Sequence, residues 1–188
     1  MDSQSRRAGP CRRARVTWHD DRTGQGVAQD DAEAAKWFRN AADQGFSVAQ
    51  YTLGMIYHDG QGVTRDDVEA VKWIRKAAEQ GFEVAQFILG LAYAKGLGVT
   101  RDYAEAAKWF RKPADQGHAG AQFYLGLMYR DGQGVARNYA HACMWLSLAT
   151  AQNYEKARQT LDDLEKKVTP PQRDEVQRMA REWKPIHN

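Results

Sequence analysis

The chain has 188 residues, of which 43% are hydrophobic and 27% charged, with a formal net charge of +3. This suits one folded domain or one short array of repeats, and no run of 18 apolar residues exists to form a transmembrane helix. The charge is concentrated at the start, where Arg6, Arg7, Arg12, Arg13 and Arg15 face only Asp2; the nearly neutral remainder excludes the broad basic surface that nucleic-acid binding requires.

Taken in chain order, residues 1–23 form a basic segment read as disordered or as not native to the repeat array. Its arginines are read as a solvated tail rather than a contact for an acidic partner. The segment has charge but no apolar stretch of an export signal, and Arg6-Arg7 is a twin arginine without one, so the expected compartment is the cytoplasm. Cys11 and Cys143 lie in unlike surroundings, which predicts neither a disulfide framework nor a zinc site.

From residue 24 the chain repeats. Gly-x-Gly-Val occurs at Gly24–Val27, Gly60–Val63, Gly96–Val99 and Gly132–Val135, a constant step of 36 residues shared by Trp37, Trp73, Trp109 and Trp145 and by Ala34, Ala70, Ala106 and Ala142. An Ala-Gln-aromatic element followed by Leu-Gly and Tyr recurs as Ala49, Leu53-Gly54 and Tyr57; Ala85, Leu89-Gly90 and Tyr93; and Ala121, Leu125-Gly126 and Tyr129. Ala49, Leu53 and Tyr57 fall on one face of a first helix; Ala70, Trp73, Ile74 and Ala77 fall on one face of a second. The first of the second-type helices runs from about Asp31 to Gln44. A glycine inside a helix costs roughly 1 kcal/mol against alanine, so the Leu-Gly glycines are expected to let a neighbouring helix approach closely. Helix pairs of this kind cannot bury their apolar faces alone and must stack.

The stretch DGQGVTRDD (59–67) follows a helix rather than a strand, which argues against a phosphate-cradling loop. Gly60 is placed to end a helix in the left-handed conformation, Gly62 to supply a second unusual backbone angle, and Val63 to plug the gap between helices. Asp66 with Glu69 reads as a capping box, repeated by Asp30 with Glu33, Asp102 with Glu105 and, more weakly, Asn138 with His141. The carboxylates are helix starts, not metal ligands.

At these residues the chain resembles the Sel-one-like repeat family, a relative of the tetratricopeptide repeat, over about 24–153. Residues 46–81 match its pattern at Ala49, Leu53, Gly54, Tyr57, Gly60, Gly62, Val63, Asp66, Ala70, Trp73, Ala77, Ala78 and Gly81. The resemblance implies an all-α, right-handed α-solenoid of 36-residue helix-turn-helix repeats acting as an adaptor or scaffold. Three departures stand out. The first unit lacks its opening helix, Pro113 replaces Ala41 and Ala77 and predicts a kink or early fraying of its helix, and the paired cysteines of some relatives are missing.

Residues 154–188 are read as a helical cap: a helix over 154–167 with Ala157, Leu161 and Leu164 on one face, then Thr169-Pro170-x-Gln172 opening a last helix to about Trp183. The cap presents Val176, Met179, Ala180 and Trp183 inward and charges outward.

No catalytic set, metal site or cofactor motif is legible. His19, His58, His118, His141 and His187 show no ligand spacing; His58 is expected to be exposed at a helix end, and the tryptophans to be core. Inside the fixed frame the variable first-helix positions are Thr52, Ile88 and Tyr124; Met55, Leu91 and Leu127; and His58, Ala94 and Arg130. The tetratricopeptide likeness places first helices on a concave surface. Thr52, Met55, His58, Ile88, Leu91, Tyr124, Leu127 and Arg130 are therefore either a groove for a partner's peptide or helix or packing between units. The expected partner is another protein. Rival readings are weak self-association through the incomplete first repeat and β-lactam binding or hydrolysis, as for cysteine-rich relatives.

Overall fold

The structure is a computed structural model and describes residues 31–186. The reading of residues 1–23, the Asp30 cap, His19 and His187 lie outside the described residues. Within them the chain forms nine α-helices and no strand: α1 Asp31–Asp43, α2 Ser47–Asp59, α3 Asp67–Glu79, α4 Glu83–Lys95, α5 Tyr103–Asp115, α6 Ala119–Asp131, α7 Tyr139–Ala151, α8 Glu155–Glu165 and α9 Pro170–Glu182. It divides into two compact units, residues 1–85 and 86–188.

In the first unit α2 packs between α1 and α3. Trp73 of α3 lies with Ala41 and Ala42 of α1 and Ala49 and Leu53 of α2 in one buried cluster. A Cβ on Gly54 would stand 2.6 Å from Ile74 Cγ1 and 2.9 Å from the Ala70 carbonyl oxygen, so the bare glycine sets the distance between α2 and α3. Gly60 closes α2 at φ 72°, ψ 29°, with its N–H on the Ile56 carbonyl, a left-handed corner that a side chain resists. Gly62 does more than supply its positive φ of 67°: any Cβ there would collide with the Asp31 and Ala32 backbone at the start of α1. The same contact recurs in the second unit between Gly134 and the start of α5 at Tyr103.

The helix starts are capped by Asp66, whose Oδ1 accepts Val68 and Glu69 N–H at 3.0 and 2.9 Å, and likewise by Asp102 and Asn138. The full capping box is not formed at Asp66. Glu69 instead accepts Trp73 Nε1–H at 3.1 Å and pairs with Lys72 at 3.0 Å, while the Asp66 N–H that a box would use already donates to the Tyr57 carbonyl at 2.9 Å.

In the second unit α6 packs with α5 and α7, and α7 with α8 and α9. Ala106, Ala107 and Phe110 of α5, Leu125 and Met128 of α6, and Met144 and Trp145 of α7 share one buried cluster. A second joins Cys143, Leu146 and Ala149 of α7 to Ala157 and Leu164 of α8 and to Val168. Met179, Ala180 and Trp183 pack on the first cluster and Val176 on the second, as the cap reading expects. Beyond α9 the chain reaches back, and Ile186 N–H donates to the Asp115 carbonyl at 2.9 Å.

Two expectations need correcting. Pro113 does not end α5 early: the helix reaches Asp115, the register at which α1 and α3 stop at Asp43 and Glu79. Its ring is fully buried, and the one backbone bond its nitrogen cannot make, to the Trp109 carbonyl, does not stop the last turn from forming. The tryptophans are not uniformly core: Trp73 and Trp145 are 5% and 1% exposed and Trp37 is 50% exposed, while Trp109 is half-buried. Trp73 is covered by the preceding helix α1; the corresponding cover for Trp37 would fall before Asp31, outside the described residues.

Candidate interaction surface

The first helices α2, α4 and α6 carry the variable positions, three residues apart and so on one helical face. In the first unit Thr52 turns its hydroxyl onto its own helix, donating to the Val48 carbonyl at 2.8 Å, and Met55 is half-buried. His58 is not a free helix-end histidine. Its Nδ1 lies 2.6 Å from Asp67 Oδ1, and Arg65 holds the other Asp67 oxygen at 3.0 Å. These bonds, His58 first and Arg65 second, pull the Asp67 carboxyl below the usual carboxylate range. The end of α2 is thereby tied to the first turn of α3.

In the second unit Ile88 is half-buried. Leu91 and Tyr124 pack against the cluster that holds Phe110 and Trp145, and Leu127 against the Cys143 cluster. The Tyr124 ring stacks on Phe110 with centroids 5.3 Å apart and 12° between planes, and also meets Phe87 and Phe123 at 5.8 and 5.5 Å. Arg130 is gripped by both Asp131 oxygens, at 2.7 and 2.8 Å. With Gln159, Thr160, Asp163, Leu164 and Lys167 it lines an open depression of about 360 Å³. Leu91 and Tyr124 thus meet in one cluster, and Leu127 joins its neighbour.

Sequence reasoning overlooked the apolar residues that the structure exposes at the turns between hairpins: Phe46, Val48 and Val84. The period held a signal, since Phe46, Phe82 and His118 share one register. It also overlooked the buried glutamines. Gln50 donates to the Ala42 carbonyl at 3.2 Å and accepts from Gln80 at 2.7 Å; Gln122 does the same with Ala114 and Gln152 at 3.1 and 2.9 Å. Each of these two glutamines bonds the preceding second-type helix to the residue that ends the next one.

For chemistry the described residues offer little. No group of three His, Cys, Asp or Glu among them could hold a metal. Cys143, the one cysteine they include, is buried, and burial together with Glu165 pushes its thiol up to about 11, so it is not a thiolate near neutrality. No helix among them is long and apolar enough to cross a membrane.

A repeat of helix pairs, with glycine corners and tryptophans in register, is what the family comparison identifies: the Sel1 repeat model matches residues 22–46, 47–82, 84–118 and 119–158. The chain belongs to the Sel1 repeat family. It is 33% identical to a Sel1 repeat protein from Oxalobacter formigenes, with a TM-score of 0.77 over 86% of this chain and 66% of that one. It is 28% identical to c5321, a protective antigen of uropathogenic Escherichia coli with an SLR fold, at a TM-score of 0.63 over 95% of this chain and 46% of the other. Helicobacter pylori cysteine rich protein B, at 21% identity and a TM-score of 0.55 over 73% of this chain and 99% of its own, shares the fold. The chain spans less than two thirds of the length of the first two. Comparison with curated proteins gives no match. Sel1 repeat proteins are generally helical scaffolds for protein–protein interaction.

Proposed function

We propose that this Sel1 repeat chain is a non-enzymatic adaptor, and that the variable positions on each of its first helices contact a peptide or helix of another protein. The observation that carries the reading is a fixed repeat frame in which the partly exposed positions 52, 55 and 58 of α2, and their counterparts on α4 and α6, change side chain from repeat to repeat. Met55 and Ile88, half-buried, would supply apolar contact, and His58 and Arg130, each more than a third exposed, would set charge. Leu91, Tyr124 and Leu127 serve chiefly to hold their helices in place, given their packing. Binding through a few such residues is the usual pattern at protein interfaces.

A photo-crosslinking amino acid placed at Met55 or Ile88 tests this in the source cell. The expected result is the same crosslinked partner from both positions and none from a probe at Lys156 on α8. Crosslinks from Lys156 alone, with Met55→Asp and Ile88→Asp leaving partner capture intact, would remove the assignment. The adaptor reading also expects no nitrocefin hydrolysis above buffer.

A further inference from the structure

Three turns of one construction lead from a second-type helix into the next first helix: 43–46, 79–82 and 115–118. Gly45, Gly81 and Gly117 take φ of 90°, 87° and 100°. Their N–H groups donate to the Ala42, Ala78 and Ala114 carbonyls, and the next N–H groups along the chain, of Phe46, Phe82 and His118, donate to Ala41, Ala77 and Pro113. The third turn is occupied by the chain's own tail. Ile186 N–H bonds the Asp115 carbonyl at 2.9 Å, and Pro185 Cβ and Trp183 Cη2 lie 3.9 Å from where a Gly117 Cβ would be. Trp183 leaves α9 in an extended conformation, φ −65°, ψ 133°, and its ring packs on the cluster of Phe110 and Trp145.

At Gly45 and Gly81 no described residue lies within 4 Å of the Cβ position. The neighbouring side chains also differ. Phe46 is 47%, Val48 56% and Val84 39% exposed, and the Phe82 ring is half-buried against Tyr51. Beside the filled turn the corresponding residues are His118, whose Nδ1 accepts Ala121 N–H, and Gly120. Apolar surface is thus left uncovered at the two open turns and is absent at the one that already has its occupant.

We propose that the turns at Gly45 and Gly81 are docking points for an extended segment of a partner protein built like this tail: an aromatic residue, a proline two places on and an aliphatic residue after it. The proline holds the segment extended and removes a donor that would otherwise need a partner. The amide after it is left to bond the turn carbonyl of Asp43 or Glu79, as Ile186 does at Asp115. A partner protein is the source favoured over a second copy, because each copy's tail is already seated on its own third turn. The site uses none of the first-helix residues proposed above, so either assignment can fail alone.

The test is titration of a synthetic peptide of residues 179–188 into the isotope-labelled full chain, read by amide chemical shifts. The expected result is saturable movement of the Gly45, Phe46, Gly81 and Phe82 amides. Affinity should be about tenfold weaker for a Val48→Asp/Val84→Asp chain that keeps its helical circular dichroism, and for peptide carrying Trp183→Ala and Pro185→Ala. Movement confined to 115–118, which is displacement of the chain's own tail, would overturn the proposal. So would equal binding of the altered peptide, or no movement at all.

Discussion

A single methyl group on Gly54 would meet both Ile74 and the Ala70 carbonyl at under 3 Å. Alanine gains roughly 1 kcal/mol of helix propensity over glycine, but overpacking a closed interface costs about 1–3 kcal/mol, and a backbone oxygen cannot rotate away. Gly54→Ala is expected to lower stability in urea titration, and Gly62→Ala to lower it more, since a positive φ adds to the collision with α1. Trp145 offers the opposite test. Trp73 has Glu69 one turn before it as acceptor for its indole N–H. Trp145 has His141 there, and both Trp145 Nε1 and His141 Nδ1 are buried without a partner. His141→Glu is expected to raise stability in urea titration by about 1 kcal/mol through the restored hydrogen bond. The period made the exchange of Glu for His visible in the sequence. The bond it removes was not, because nothing in spacing says which way a glutamate at a helix start will turn.

Among the elements, the caps and the buried glutamines decide how firmly each hairpin holds. Asp66→Ala and Asp102→Ala are each expected to cost about 1 kcal/mol by denaturant titration. Gln122→Leu should cost about 1–3 kcal/mol, because the Gln152 amide and the Ala114 carbonyl both lose a partner. The link from α2 to α3 depends on pH. Asp67 has a lowered folded-state pKa, so its contribution is present above the ordinary carboxylate range and is lost as pH falls through that lowered value. The stability gap between the native chain and Asp67→Asn should therefore be present at neutral pH and close as pH falls below the ordinary carboxylate range, measured by urea midpoints. Helix positions, glycine corners and caps were legible in the sequence because each is a local choice repeated at a fixed step. Whether Leu91, Tyr124 and Leu127 lie in a groove or in packing was not, since one apolar stripe satisfies both. The His58–Asp67 bond escaped too, joining residues that periodicity treats as separate helix ends.

At the scale of the whole chain, the C-terminal helices close the second unit. Cys143, Leu146 and Ala149 are covered by Ala157, Leu164 and Val168, and the Cys143 thiol is both buried and raised to about 11. Removing residues 154–188 is expected to uncover this layer. Ellman's reagent should then react rapidly with Cys143 in the truncated chain and slowly in the intact one at neutral pH. Equal rates would mean that α8 and α9 do not seal the unit. The cap could be read in sequence from the loss of the 36-residue step and the Thr169-Pro170-x-Gln172 start. Its return to the Asp115 turn could not, because a single backbone hydrogen bond and a ring over a glycine leave no pattern.

The seat of Gly62 on the first turn of α1, repeated by Gly134 on the first turn of α5, has a bearing on how such a chain can change its length. Each corner touches a point thirty-one residues earlier, so an insertion or deletion of one or two residues in between would drag the corner off its seat and unseat the hairpin with it. Adding or removing a complete 36-residue module leaves every such span intact. Growth by duplication is therefore tolerated where small slips are not, and arrays of this kind should differ from one another in whole units.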